Sequence, residues 1–219
     1  TDFTFSWSNN VNAGEATLTI TGKGNYAGTN SKTFTISARD ISNATASEIA
    51  AQGYTASAKT PLPALSDLSR TLIKDADYTL KYADNVNVGT AKIIITGIGN
   101  YSGTKEVTFT ITARSISGVT VAAIPAQSYT GSAIEPLPEI TDLTITLVIG
   151  TDFTVAYLNN VAVGTATLIL TGMGNYTGTK EISFSIQPPT LADATVTISE
   201  TSFTYDGSAK EPRVTLVQV

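Results

Sequence analysis

Apolar and polar residues alternate with a period of two along most of the chain. Phe153, Val155 and Tyr157 alternate with Thr154 and Ala156, and the same pattern recurs as Tyr78, Leu80 and Tyr82 and as Phe3, Phe5 and Trp7. In Thr165–Gly172 (TATLILTG), Ala166, Leu168 and Leu170 share one face of a strand, and Thr167, Ile169 and Thr171 share the other. Ile182, Phe184 and Ile186 alternate with serines. Such alternation, rich in Thr, Val, Ile and aromatics, predicts half-buried antiparallel strands. No segment sustains a 3.6-residue period, so no long helix is expected. The segments NNVNAG, DNVNVG and NNVAVG (Asn9–Gly14, Asp84–Gly89, Asn159–Gly164) read as turns between strands. Asn and Asp bond locally to the backbone, and Gly takes positive φ without steric cost.

The pattern repeats. Gly22, Gly97 and Gly172 are spaced by 75 residues, as are Asn25, Asn100 and Asn175, Asp2, Asp77 and Asp152, and Phe34, Phe109 and Phe184. Tyr54 and Tyr129 keep that interval, whereas Tyr205 follows after 76, which places a one-residue insertion near Gln187–Thr190. Some six strands per 75 residues predict a small β-sandwich. A unit of that size buries only about 60–65% of its unfolded surface, so neighbouring units are expected to support one another.

The expected unit boundaries fall in FTISARDI, FTITARSI and FSIQPPTL (Phe34–Ile41, Phe109–Ile116, Phe184–Leu191), because Pro188 and Pro189 cannot donate ladder hydrogen bonds. This register gives a C-terminal half unit (1–37), two whole units (38–113 and 114–188) and an N-terminal half unit (189–219). A rival register starts each unit at the DFT/DYT strand, with boundaries at Asp75–Ala76 and Gly150–Thr151, which look more like hairpin turns. Under the preferred register both ends present open strand edges. Those ends belong either to a longer array or to halves that complete each other between molecules.

Composition narrows the chemistry. Among 219 residues there is no Cys and no His, which removes thiol nucleophiles, disulfides, histidine bases and the usual zinc sites. The net charge is −5 with 14% charged residues, and no basic patch points to nucleic acid or to an anionic membrane surface. No apolar run reaches the roughly 18 residues of a membrane span. Residues 1–10 lack the basic start and apolar stretch of a signal peptide, so the chain reads as mature or as part of something longer.

The most conspicuous motif is the loop TGxGNYxGT, as in Ile20–Thr29, Ile95–Thr104 and Leu170–Thr179. Its glycine spacing is not that of the dinucleotide fingerprint, and no helix follows to present its N-terminus to a phosphate. It reads first as a turn whose Tyr26, Tyr101 and Tyr176 plug the sandwich edge. The alternative is that these three tyrosines bind a ligand by stacking on sugars. Asp2, Asp77 and Asp152 read as turn-capping acceptors. As calcium ligands, helped by Asp84 and Asn85, they would fall short of the six to eight oxygens calcium takes. Lys23 is replaced by Ile98 and Met173, and Lys105 and Lys180 are expected on a solvent face, which disfavours a Lys–Asn crosslink. Asn43, Asn100 and Asn175 fall in glycosylation-acceptor patterns, but Asn25 does not. No catalytic residue, metal or cofactor is expected.

Tyr205-Asp-Gly207 opens a unit that runs SFTYDGSAKEPRVTL (Ser202–Leu216), and the earlier units carry YTASAKTPLP (Tyr54–Pro63) and YTGSAIEPLP (Tyr129–Pro138). This motif order, continued by DYT or DFT, the NNV turn, TGxGNYxGT and a closing FTI, resembles bacterial immunoglobulin-like repeats of the tyrosine-aspartate-glycine type. The resemblance covers essentially the whole chain, although only the last copy spells YDG. It implies an all-β, elongated rod of tandem immunoglobulin-like sandwiches, found extracellularly on the bacterial surface or secreted, with a stalk, spacer or adhesion role. Expected partners are neighbouring repeats of the same parent chain and, for an adhesive module, a glycan or host surface protein. A self-assembling fibre subunit joined by its end strands is a further alternative.

Overall fold

The computed structural model describes residues 2–190 and 194–217. Thr1 and Leu191, which ends the third candidate linker, lie outside the described residues. The protein is all-β, built from tandem small sandwiches of the immunoglobulin-like class that recur with the 75-residue period. The chain divides into two compact units, Thr1–Arg114 and Ser115–Val219.

The first unit begins with a three-stranded antiparallel sheet: Phe3–Ser8, Gly14–Gly22 and Thr29–Ile36 in sequential order. Trp7 meets Phe5 and Phe34 edge to face, with ring centroids 6.3 and 5.8 Å apart. This aromatic face remains largely open, with Phe3 47% and Phe34 42% exposed.

A complete repeat follows in the same unit. Its larger sheet has the order Gln52–Gly53, Thr104–Thr112, Gly89–Gly97, Tyr78–Ala83. The last three of these strands pair antiparallel, and Gln52–Gly53 joins parallel to Ile111–Thr112. The smaller sheet is an antiparallel set of Thr45–Ala46, Leu65–Asp67 and Arg70–Thr71. The expectation of about six strands was low: the repeat has nine segments, six of them only two or three residues long. Such short pieces carry too little alternation to register in the sequence pattern.

The core lies between the two layers. Tyr78, Ile93, Ile95, Phe109 and Ile111 come from the larger sheet, and Ile41, Leu65 and Leu72 from the first half of the repeat, all buried. Each fully buried aliphatic of this kind contributes about 1.5–3 kcal/mol relative to exposure. Ile41 is held in place by a single 3-10 turn, Ile41–Asn43, whose first N–H groups are capped by Asp40 (Ser42 N–H to Oδ1, 2.8 Å).

The second unit repeats this plan. Its larger sheet runs Gln127–Ser128, Thr179–Gln187, Gly164–Gly172, Phe153–Leu158, and its smaller sheet Thr120–Val121, Ile140–Asp142, Ile145–Thr146. Ile116, in the matching 3-10 turn Ile116–Gly118, is fully buried. A separate antiparallel hairpin, Thr195–Ile198 with Val214–Val217, ends the described chain.

Candidate functional site

The TGxGNYxGT loop closes the end of the sandwich on itself. In the first unit the Gly97 N–H donates to the Gly103 carbonyl at 3.0 Å, and the Ile98 N–H reaches back to the Asp77 carbonyl at 2.9 Å. The chain crosses itself so tightly that a Cβ on Gly97 would lie 2.7 Å from the Ser102 nitrogen, and one on Gly172 2.7 Å from the Thr177 nitrogen. Close backbone approach is therefore the reason for this glycine in each copy. Beyond the crossing, Tyr101 and Ser102 pair parallel with Arg39 and Asp40. The loop is thus tied to the first residues of its own repeat.

The three nominated tyrosines do not share one environment. Tyr101 is 6% and Tyr176 2% exposed, whereas Tyr26 is 65% exposed. The difference follows from what lies opposite. Tyr101 sits against the Arg39–Asp40 strand, and the described residues hold no corresponding strand beside Tyr26. Instead Tyr26 borders an open groove of about 730 Å³, also lined by Phe3, Ile20 and Asn30.

Around Tyr101 the polar groups form a closed set. Asp67, almost buried, receives the Arg39 guanidinium through Nε and through Nη2 (3.0 Å) and also interacts with the Tyr101 hydroxyl. The Arg39 hydrogen bond holds the Asp67 carboxyl below the usual carboxylate range, against the opposing effect of desolvation. Burial pushes the Tyr101 hydroxyl above its ordinary value, and the Asp67 charge adds to that. None of these pairings was visible in the sequence, because Arg39 and Asp67 are neither neighbours nor part of one motif.

Two of the carboxylates weighed as calcium ligands, Asp77 and Asp152, are engaged within their own repeats. Both oxygens of Asp77 accept from Arg70 Nη2 at 2.8 Å, and Oδ2 also accepts from the Ile73 N–H at 2.8 Å. Asp152 accepts from the Val148 N–H at 2.9 Å; Ile145 stands where the first repeat has Arg70. Asn85 exchanges hydrogen bonds with Lys59, its Nδ2 reaching the Lys59 carbonyl at 2.8 Å. Asn160 does the same with Ile134 at 3.2 Å. Tyr82 and Tyr157 donate to the carbonyls of Pro61 and Pro136, at 2.9 and 3.0 Å. Asp206 of the YDG triplet caps a turn through the Ser208 N–H at 2.9 Å, a role Thr130 takes in the preceding copy.

Two readings change in detail. Lys105 and Lys180 do not simply face solvent: their ammonium groups donate to the Ser42 carbonyl at 3.0 Å and the Val119 carbonyl at 2.7 Å, latching strand to turn. Asn100 is not merely a turn residue. Its side chain accepts from the Ala13 N–H at 2.7 Å and donates to Asn12 Oδ1 at 3.0 Å, clasping the Asn9–Gly14 turn of the N-terminal sheet. Among the described residues no cluster of three or more His, Cys, Asp or Glu could hold a metal ion, and no helix is long and apolar enough to cross a membrane.

No protein-family model matches the chain. No curated protein matches it either. Among solved structures, it is similar to the protocadherin gammaB7 EC3-6 cis-dimer structure, at 10% identity and a TM-score of 0.26 over 95% of this chain and 71% of that one. The fold assignment rests on the strand order and burial of this chain itself.

Proposed function

We propose that the chain is a non-catalytic structural module, a stalk or spacer segment of a bacterial cell-surface or adhesin-like protein. The observation that carries this reading is where the polar groups of the loops and turns spend their hydrogen bonds. Asp67, Asp77, Asn85 and Tyr101 bind other parts of their own repeat, and Asn100 binds the neighbouring sheet. These contacts hold repeats together and join one to the next, which is what a spacer requires. The resemblance to tandem bacterial immunoglobulin-like repeats supports the extracellular setting. The preferred boundaries at 37/38, 113/114 and 188/189 belong to this proposal.

Labelling of intact cells that express the parent protein, with an antibody against this chain, tests it. Surface labelling without permeabilisation is expected. Labelling only after lysis would contradict an extracellular role.

A second reading, a glycan- or host-protein-binding module, is favoured by one observation: Tyr26 is exposed beside an apolar-lined groove. A glycan array separates the two readings. Binding that is lost in Tyr26→Ala would support the adhesive module, and an array without hits would leave the spacer.

A further inference from the structure

The two-layered sandwich of the first unit is entered and left along one line. The entering residues Arg39 and Asp40 pair parallel with Tyr101 and Ser102, just ahead of the last long strand, Thr104–Thr112. Gln52 and Gly53 then pair parallel with Ile111 and Thr112, at the far end of that strand. The segment 39–54 therefore follows the last strand from one end to the other, in the same direction. The remaining strand pairs of this sandwich are antiparallel. The second unit keeps the arrangement, with Gln127 and Ser128 parallel to Ile186 and Gln187.

Direction decides how a pull on the chain is carried. Load passing along the chain draws Arg39 one way and Thr112 the other. In a parallel pair these two points lie at opposite ends of the contact, so the segments must slide past each other, and every bond across the contact is strained at once. An antiparallel pair opened from the end where both strands are held gives way one bond at a time.

The bonds that oppose sliding are spread along the whole contact. The Arg39 N–H donates to the Asn100 carbonyl at 2.9 Å, and the Tyr54 N–H to the Thr112 carbonyl at 3.0 Å. Between them Lys105 Nζ holds the Ser42 carbonyl at 3.0 Å. Arg39 Nη2 reaches Asp67 at 3.0 Å, which ties the entering segment to the smaller sheet as well. Ile41 and Tyr54, on the same segment, are buried, so sliding also draws two side chains out of the core. In the second unit Lys180 takes the place of Lys105, on the Ser117 and Val119 carbonyls, and the Tyr129 N–H donates to the Gln187 carbonyl at 2.9 Å.

We infer that each sandwich is built to bear tension: the parallel contact between its entering segment and its last strand is a shear lock that sets the force at which the sandwich opens. The lock belongs to the folded sandwich and does not depend on the spacer reading. A sandwich that opens at low force would leave the spacer reading standing, and a chain found only inside cells would leave the lock standing.

Single-molecule force measurement on the full chain tests it. The chain has no Cys, so a pair of introduced cysteines defines the two points of attachment. Ala38→Cys with Ala113→Cys loads the contact in shear. Val86→Cys with Ala113→Cys peels the last strand from its neighbour, because Gly89 and Ile111 are paired at the same end. Forced opening reports the unfolding rate in each geometry. The shear geometry is expected to need a several-fold higher force than the peeling geometry. Arg39→Gln should lower the shear force and leave the peeling force unchanged, since Arg39 lies at the far end of the strand being peeled. Lys105→Gln should do the same, and it serves if Arg39→Gln does not fold. Equal forces in the two geometries would overturn the inference. So would variants that lower both forces by the same factor, because that is a loss of stability and not of the lock.

Discussion

Asn100 accepts a 2.7 Å hydrogen bond from the Ala13 N–H, 87 positions earlier in the chain, and so fastens the loop of one repeat to the turn of the preceding sheet. The same loop also receives the Arg39 N–H on the Asn100 carbonyl at 2.9 Å. One residue therefore joins a strand within its repeat to a turn outside it.

Asn100→Ala should loosen this joint without unfolding the sandwich. Two hydrogen bonds are lost, one partly buried and one exposed, at a cost of about 1–2 kcal/mol. Hydrogen exchange at the Ala13 amide should accelerate while exchange in the Gly89–Gly97 strand stays protected. Unchanged exchange at Ala13 would show that the clasp carries no free energy.

Gly97→Ala should destabilise the sandwich that contains it by about 1–3 kcal/mol, because the new methyl meets backbone that cannot retreat. Gly118→Ala is the control, since nothing lies within 4 Å of its Cβ position. It should stay within about 0.5 kcal/mol of the wild type. Thermal unfolding of both variants decides the matter.

Asp67 sets a pH dependence. Its folded pKa is held down by Arg39, so its contribution is complete above the unfolded value of about 4 and is lost as pH falls through the folded value. Asp67→Asn should therefore be less stable than wild type at neutral pH, and the gap should narrow below about pH 4. Asp40 and Asp206 are also lowered, so the wild-type acid transition should shrink in the variant and not vanish. Urea midpoints of the two proteins along a pH series measure this. A gap that stays constant into acid would contradict it.

Much of the fold was legible because side-chain alternation reports burial directly. Ala166, Leu168 and Leu170 were placed on one face, and all three are fully buried, with Phe184 and Ile186 beside them on the next strand. What escaped was contact between segments far apart in sequence. The 3-10 turn that seats Ile41 is three residues long, and the parallel Gln52–Gly53 strand only two, too short to show a period. Arg39, the partner of Asp67, recurs as Arg114 in the FTISARDI and FTITARSI segments, but nothing local ties it to a carboxylate 28 positions away, and Arg70, the partner of Asp77, has no counterpart in the next repeat. The loop tyrosines illustrate the limit for the site. Tyr26, Tyr101 and Tyr176 occupy one position in a nearly identical motif, yet their exposure is decided by the segment opposite, which the motif does not encode.

Tyr101 is buried and serves the core of its repeat. Denaturant unfolding of Tyr101→Ala and Tyr26→Ala, side by side, tests this. Truncation of the buried Tyr101 ring should cost about 3–5 kcal/mol. Truncation of the exposed Tyr26 ring should cost under about 0.5 kcal/mol. A Tyr101→Ala protein as stable as the wild type would contradict the account, because the repeated loop would then hold its tyrosine ready for a ligand and not for the core.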